Sequence, residues 1–291
     1  MRITREGKYG QGSDLALERM RAPTEIEGVL FTKEEKSLEG GRILSWERIK
    51  ISSEEGAKAI GRPQGNYDTL SLERMDGLSP EEISEAAREL SAELIHSVAR
   101  LGVTAGRLLV IGIGNAALTP DSVGPRAAAE VNATLHISKY ESELFEKMNC
   151  SEIAVIVPGV TAESGMDAAA LAAAVSETLL PDAVIAIDSL AARSPARLGT
   201  TVQISDTGIF PGSGIGNGRR PLNESTLGAP VIAIGVPTVI NAGILIGADG
   251  EGECTPHDTD GLFVSPKDID AITDVSSKII ADGINQAFGI F

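Results

Sequence analysis

Leu108-Leu109-Val110-Ile111-Gly112-Ile113-Gly114-Asn115-Ala116-Ala117-Leu118-Thr119-Pro120-Asp121 joins an unbroken apolar run to a glycine-rich turn and then to a single acid. Such a run has no polar face, so it belongs in a strand covered on both sides, as in a parallel sheet. Working outward, similar short runs recur at 153–157, 183–187, 200–204 and 231–235, separated by helical stretches. The Ala-rich stretch 164–179 suits a crossover helix that lies close to the sheet, because methyl side chains allow near approach. Ser79-Pro80-Glu81-Glu82 opens a helix to about Leu101, with a hydroxyl N-cap, a first-turn proline and a Glu three residues after the cap. A last amphipathic helix spans 266–288, with Ile269, Ile272, Val275, Ile279, Ile280 and Ile284 near helical spacing. The apolar stretch 231–247, interrupted by Pro237, Thr238 and Asn241, reads as a buried strand, a turn and a helix.

On the amino-terminal side the periodicity changes to alternation. Stretches 27–32, 42–51 and 67–72 read as strands, and 53–60 as a short capped helix ended by Gly61. Residues 1–24 are polar and Gly-containing, an extended or poorly ordered leader. The expected fold is therefore α/β: a mainly parallel central sheet flanked by helices, with a small N-terminal β-rich subregion. The expected division is a leader at 1–14, the β-rich subregion at 15–78 and an α/β catalytic domain at 79–291, the last two able to form one continuous domain.

Composition narrows the function. With 291 residues and 42% hydrophobic content the chain buries a core without staples. Its two cysteines, Cys150 and Cys254, are too few for a disulfide framework, which fits a reducing cytoplasm. A net charge of −16 opposes binding to a phosphate backbone, so no nucleic-acid partner is expected. The first residues lack a secretory apolar run, and no stretch reads as a membrane span.

In open α/β sheets chemistry collects beyond the carboxyl ends of the strands. Three ends carry acids: Asp121 after the first run, Asp188 directly after Ile185-Ala186-Ile187, and Asp206 after Gln203-Ile204-Ser205. Asp206-Thr207-Gly208 invites comparison with pepsin-like proteases, but those need two such loops in β-rich lobes. The glycine-rich 211–218 lacks the Gly-Lys-Ser/Thr ending of a phosphate loop and reads as a substrate-facing turn. His96, His136 and His257 give no evident imidazole partner for a nucleophile, and Cys254 to Asp260 reads as a polar loop or a zinc cluster. Carboxylates remain. An isolated strand-end Asp is usually a cap or a loop acceptor, whereas two brought together can share one proton and activate water against a carbonyl. The same pair could instead hold a divalent metal. Asn115, Arg193 and Asp206 are candidates for substrate or supporting contacts by their strand-end positions.

At these residues the sequence resembles the spore germination protease family, endopeptidases that degrade small acid-soluble spore proteins. The resemblance runs through Ser13-Asp14-Leu15-Ala16-Leu17-Glu18, Gly114-Asn115 with Thr119-Pro120-Asp121, Val157-Pro158-Gly159-Val160, Ala186 to Ser194, Gln203 to Asn217, and Ile232 to Thr238. It implies an atypical aspartic peptidase whose catalytic pair matches Asp121 and Asp188, with no metal and no cofactor. It also implies a zymogen, a homotetramer, a location in the spore cytoplasm and spore proteins as substrates. The first motif is similar as well to hydrogenase-maturation endopeptidases, which implies a fold of that kind and an alternative metal-dependent maturation activity. The chain departs from the family in being short between Gly247 and Val264. Ser13 to Glu18 resembles the Thr-Glu-Phe/Ile-Ala-Ser-Glu pattern cut in spore proteins, which implies processing between Asp14 and Leu15.

Overall fold

The structure, a computed structural model, describes residues 13–19, 26–211, 220–249 and 261–289. Most of the leader, the glycine run after Pro211 and the Cys254–His257 cluster lie outside the described residues.

The first apolar run forms β4 (Arg107–Gly112), one strand in from the edge of a sheet ordered β1-β2-β3-β7-β8-β6-β4-β5 among the described residues. The neighbours of β4 are β5 (Glu152–Ile156) and β6 (Ala183–Ala192), both parallel to it, and β6 pairs in parallel with β8 (Val231–Asn241). From β8 outward every pairing is antiparallel: β7 (Thr201–Ser205), β3 (Gly65–Leu72), β2 (Ile43–Ile51) and β1 (Val29–Ser37). The sheet is thus mixed, not mainly parallel as expected. The alternating strands β1–β3 join the same sheet through β7, which runs against both β3 and β8. A two-residue β9 (Phe263–Val264) adds to the far end of β8. No turn interrupts β8 at Pro237. Its pairing with β6 slips there, so Leu190 opposes Pro237 and Ala191 opposes Val239, leaving Thr238 as a bulge.

Helices cover both faces. The labels α1 (Glu54–Ile60), α2 (Pro80–Leu101), α3 (Val123–Glu130), α4 (Leu135–Tyr140), α5 (Ser142–Met148), α6 (Ala168–Leu179), α7 (Ala242–Asp249) and α8 (Ile269–Phe288) are used below. Leu108, Val110, Ile185, Ile187, Ile232 and Ile234 face α2, α3 and α8, while Leu109, Ile111, Val184, Ala186, Val231 and Ala233 face the opposite layer with α6. This two-sided burial is why the parallel strands show no polar alternation. Ser79 Oγ accepts from the Glu82 amide at 3.2 Å, and the Glu82 carboxylate accepts from the Ser79 amide at 2.9 Å, which sets the start of α2. Helices α2 and α8 pack so closely at Gly283 that a Cβ there would lie 3.0 Å from the Leu90 side chain.

The antiparallel half shares the main core, since Leu44, Trp46, Leu70 and Leu72 pack in one cluster with Leu90 and Leu94 of α2. A buried charge cluster also ties it down. Asp68 of β3 and Glu93 of α2 are each 2% exposed. Arg100 donates to Asp68 at 2.6 Å and to Glu93 at 2.9 Å, and Arg48 donates to Glu93 at 2.9 Å. Burial, and next the Glu93 charge, push the Asp68 carboxyl up to about 6, against the pull of Arg100. Because the folded chain holds this proton more tightly than the unfolded chain, the stabilisation is present in acid and is lost as pH rises through about 6. Carbon-detected NMR should therefore show Asp68 titrating near pH 6, and Glu93→Gln should lower that midpoint by removing the neighbouring charge. An unchanged midpoint in Glu93→Gln would show that the coupling is absent.

Candidate active site

Strand β4 leads to β5 on one side, and the chain then crosses back to β6 on the other. A crevice opens at such a reversal, outside the carboxyl ends of the two strands. The Ile113 amide donates to the Ile187 carbonyl at 2.8 Å, extending the β4–β6 ladder to the rim of the crevice. There the chain folds tightly back on itself. Gly114 has φ +125°, and a Cβ on it would lie 2.0 Å from the Asp121 carbonyl oxygen. The Asn115 amide is shared between the Asp121 carbonyl and its carboxylate Oδ2, both at 3.0 Å. Asp121 ends the 3-10 turn Thr119–Asp121, just before α3 begins. The bulged Thr238 reaches over from β8, and its hydroxyl donates to the Pro120 carbonyl at 2.6 Å. Asp121 is thus held by the β4 loop and by β8 together.

Asp188 lies within β6, four residues before that strand ends, and is 4% exposed. It opposes Gly235 of β8 and accepts from the Ser189 amide at 2.8 Å. Asp121 and Asp188 line one cavity of about 240 Å³ together with Ser189, Leu118, Thr238 and, from the leader, Asp14. Ser189 Oγ is buried there and finds no hydrogen-bond partner among the described residues, so a water or a substrate group would satisfy it. Among the described residues no three His, Cys, Asp or Glu side chains gather as a metal site.

The leader segment 13–19 is packed down, although its polar composition suggested a loose terminus. Ser13, Leu15 and Ala16 are at most 1% exposed. The Asp14 amide donates to the Ala191 carbonyl at 3.0 Å, and the Ala191 amide donates back to the Asp14 carboxylate at 3.0 Å. Leu15 enters the apolar cluster with Leu190, Ile209 and Leu222, while Ala16 packs with Ile49 and Tyr67. The Glu18 carboxylate receives the amides of Arg193 and Ser194 at 2.6 and 2.7 Å. Arg62 and Arg19 both donate to the Ser13 carbonyl, at 2.9 and 3.1 Å. Burial, and then the Arg19 charge, push the Arg62 guanidinium below its ordinary value.

The candidates separate accordingly. Asn115 fixes the Asp121 loop, and Arg193 contributes its main-chain amide to Glu18. Asp206 is not brought to the cavity; it accepts from the Asn66 amide at 2.8 Å and from its side chain at 2.5 Å, pinning the end of β7 to the start of β3. Gln203, whose side chain accepts from the Ala16 amide at 2.9 Å, stands inside β7 rather than at its end, and Thr238 falls where the sequence suggested a turn after residues 231–235. The available signal was a polar Gln in the otherwise apolar run Val202-Gln203-Ile204.

Two carboxylates line one cavity at the switch point of an α/β sheet with a stretch of polypeptide beside them, which makes this cavity the candidate active site. Comparison with known proteins identifies the kind. The germination protease family model matches residues 12–250. A germination protease of Clostridium perfringens is 35% identical over 320 residues, covering 96% of this chain and 95% of its own. Those of Bacillus cytotoxicus and Priestia megaterium are 38% and 39% identical, over 81% and 80% of this chain and 64% and 62% of theirs. The chain belongs to the germination protease family. It is a peptidase of spore germination, and among the described residues no helix is long and apolar enough to cross a membrane.

The tight seating of α3 makes a specific claim. A Cβ at Gly124 would lie 2.3 to 2.6 Å from backbone atoms of Ile113 and Ile187. Gly124→Ala should cost about 1–3 kcal/mol or more, read from the denaturation midpoint. Peptidase activity should fall with it, because Asp121 and Asp188 are spaced by that contact. Wild-type stability and activity in the variant would show that the junction yields.

Proposed function

We propose that the chain is an endopeptidase that begins the degradation of small acid-soluble spore proteins, with Asp121 and Asp188 as its catalytic pair. The observation that carries this reading is that both aspartates share one cavity with Asp14, beside a docked segment of the required sequence type. One carboxylate takes a proton from water as the oxygen attacks the peptide carbonyl, while the protonated partner hydrogen-bonds the carbonyl oxygen and then gives its one proton to the leaving nitrogen.

The docked segment supports the substrate class. Set against Thr-Glu-Phe/Ile-Ala-Ser-Glu, the leader reads Ser13-Asp14-Leu15-Ala16-Leu17-Glu18: hydroxyl, acid, aliphatic, alanine, a variable residue, acid. Each conserved feature of that pattern has a receptor. The Ala191 amide takes the first acid, the Leu190–Leu222 cluster the aliphatic residue, and the Arg193 and Ser194 amides the last acid. Ser13 Oγ accepts from the Leu15 amide at 3.1 Å and donates to Glu18, a role open to threonine. The enzyme is thus a zymogen that reads its own leader and cuts between Asp14 and Leu15. It acts in the spore cytoplasm as a homo-oligomer, a tetramer. Assembly is favoured by β1, an edge strand that leaves Leu30 60% and Phe31 38% exposed.

Asp121→Asn and Asp188→Asn should each slow cleavage of a spore protein by about a hundredfold or more, the scale of a lost acid-base group. Circular dichroism should show both folded, and near-normal turnover in either folded variant rejects the pair.

Mass spectrometry checks the processing site. A new amino terminus at Leu15 should form in the wild-type protein and not in Asp188→Asn. Full activity with residues 1–14 still attached would refute the zymogen reading.

A further inference from the structure

We infer that Gln203 is a further catalytic residue: its side-chain amide polarises the carbonyl of the bond that is cut and grips the chain on the far side of that bond. The inference rests on the reading that the bond between Asp14 and Leu15 is the one cleaved.

Gln203 lies in the middle of β7, opposite Thr69 of β3 on one side and Gly235 of β8 on the other. Gly235 also opposes Asp188 of β6. Asp188, Gly235 and Gln203 therefore form one row across three adjacent strands, and residues in such a row emerge on the same face of a sheet. The central member has no side chain. The Leu190 side chain lies over Gly235, where a Cβ would meet its Cδ1 at 2.3 Å, so a carboxyl group and a carboxamide stand on either side of that leucine.

The contacts match a clamp. The Ala16 amide donates to Gln203 Oε1 at 2.9 Å, and Gln203 Nε2 donates to the Asp14 carbonyl oxygen at 3.4 Å. The orientation of the carboxamide follows from the first contact, since an N–H must face the oxygen, and this directs the NH₂ at Asp14. One side chain thus touches the residues on both sides of Leu15. Gln203 is 8% exposed, and its strand is paired on both sides, so the donor keeps its place without help from solvent.

A contact of 3.4 Å is long for a neutral hydrogen bond and contributes little in the ground state. Its value rises with charge on the acceptor. As the water oxygen bonds to the Asp14 carbonyl carbon, the carbonyl π pair moves onto oxygen, and the water proton passes to a carboxylate of the pair. The carbon–nitrogen bond then breaks, its electron pair leaving on the Leu15 nitrogen, which takes the proton held by the other carboxyl group of the pair to become an amine, while the carbonyl re-forms and Asp14 gains a carboxyl group. Gln203 transfers no proton. It supplies a fixed donor where negative charge develops, an interaction stronger in the transition state than in the substrate.

The test follows self-processing of the full chain as a first-order reaction by mass spectrometry, which removes differences in substrate binding. Gln203→Glu keeps the size of the side chain and the acceptor for Ala16 but loses the donor; processing should slow about a hundredfold, the scale of one removed oxyanion donor. Gln203→Met, which loses both contacts, should be at least as slow. Hydrogen exchange over residues 13–19 should stay at the wild-type level in Gln203→Glu. Processing of folded Gln203→Glu at the wild-type rate overturns the inference, and so does slow processing accompanied by loss of protection in 13–19, which would reduce Gln203 to a docking contact. Failure of the underlying reading looks different: Asp188→Asn would process as fast as wild type, or the wild-type protein would not be cut at Asp14–Leu15.

Discussion

There is no room for a side chain at Gly124, and the arrangement of the site follows from that. The first turn of α3 presses onto the point where the β4–β6 ladder ends, within contact of the Ile113 and Ile187 backbones. Asp121 stands three residues before that glycine and Asp188 one residue after Ile187, so one close-packed junction sets the position of both acids. Gly112 and Gly114 extend the same constraint. A Cβ on the first would meet the Gly124 carbonyl at 2.4 Å, and one on the second would meet the Asp121 carbonyl at 2.0 Å. Backbone packed this tightly is stiff, and it fixes the two carboxyl groups relative to one another.

The mixed sheet has a functional consequence. Its parallel half supplies the two acids, while its antiparallel half supplies what lies against the docked segment: Gln203 from β7, Tyr67 from β3 and Arg62 from the turn between α1 and β3. The docked segment bridges the halves, bonding Ala191 of β6 and Gln203 of β7. The Thr238 bulge belongs to this design. By slipping one residue, β8 keeps its pairing with β6 and turns a hydroxyl towards the Pro120 carbonyl.

The sequence shows the parallel half well because that half is governed by burial. Strands covered on both faces must be apolar throughout, and Leu108 to Ile113 or Ala183 to Ile187 can hardly be read otherwise. The capping box at Ser79 and the left-handed Gly61 are equally legible, since both answer to local hydrogen bonding. Pairing across the sheet is not local. Nothing within β3 or β7 announces that they meet antiparallel, and so the sheet was expected to be mainly parallel. The same holds for the site. Asp121 and Asp188 follow apolar runs and come to one cavity, whereas Asp206, another strand-end acid, bonds Asn66 instead. The docking of 13–19 depends on partners about 180 residues away in the chain, which no local period reveals.

The contacts that would make the leader a substrate would also make it an inhibitor. Ser13 to Glu18 fills the groove that an outside peptide of the same pattern needs, and a tethered ligand is present at an effective concentration that free protein rarely matches. Within the reading proposed above, cutting the Asp14–Leu15 bond removes only the tether on one side. Leu15 remains in an apolar pocket, a burial worth about 1.5–3 kcal/mol, and the amides of Arg193 and Ser194 still hold Glu18. Cleavage does, however, break the pincer closed by Gln203 across the bond and free Asp14 from its neighbour. The new amino group at Leu15 would then carry a positive charge beside the new Asp14 carboxylate and the aspartates that line the cavity. Within that reading, departure of the residues before the cut is what would clear the cavity for an outside peptide.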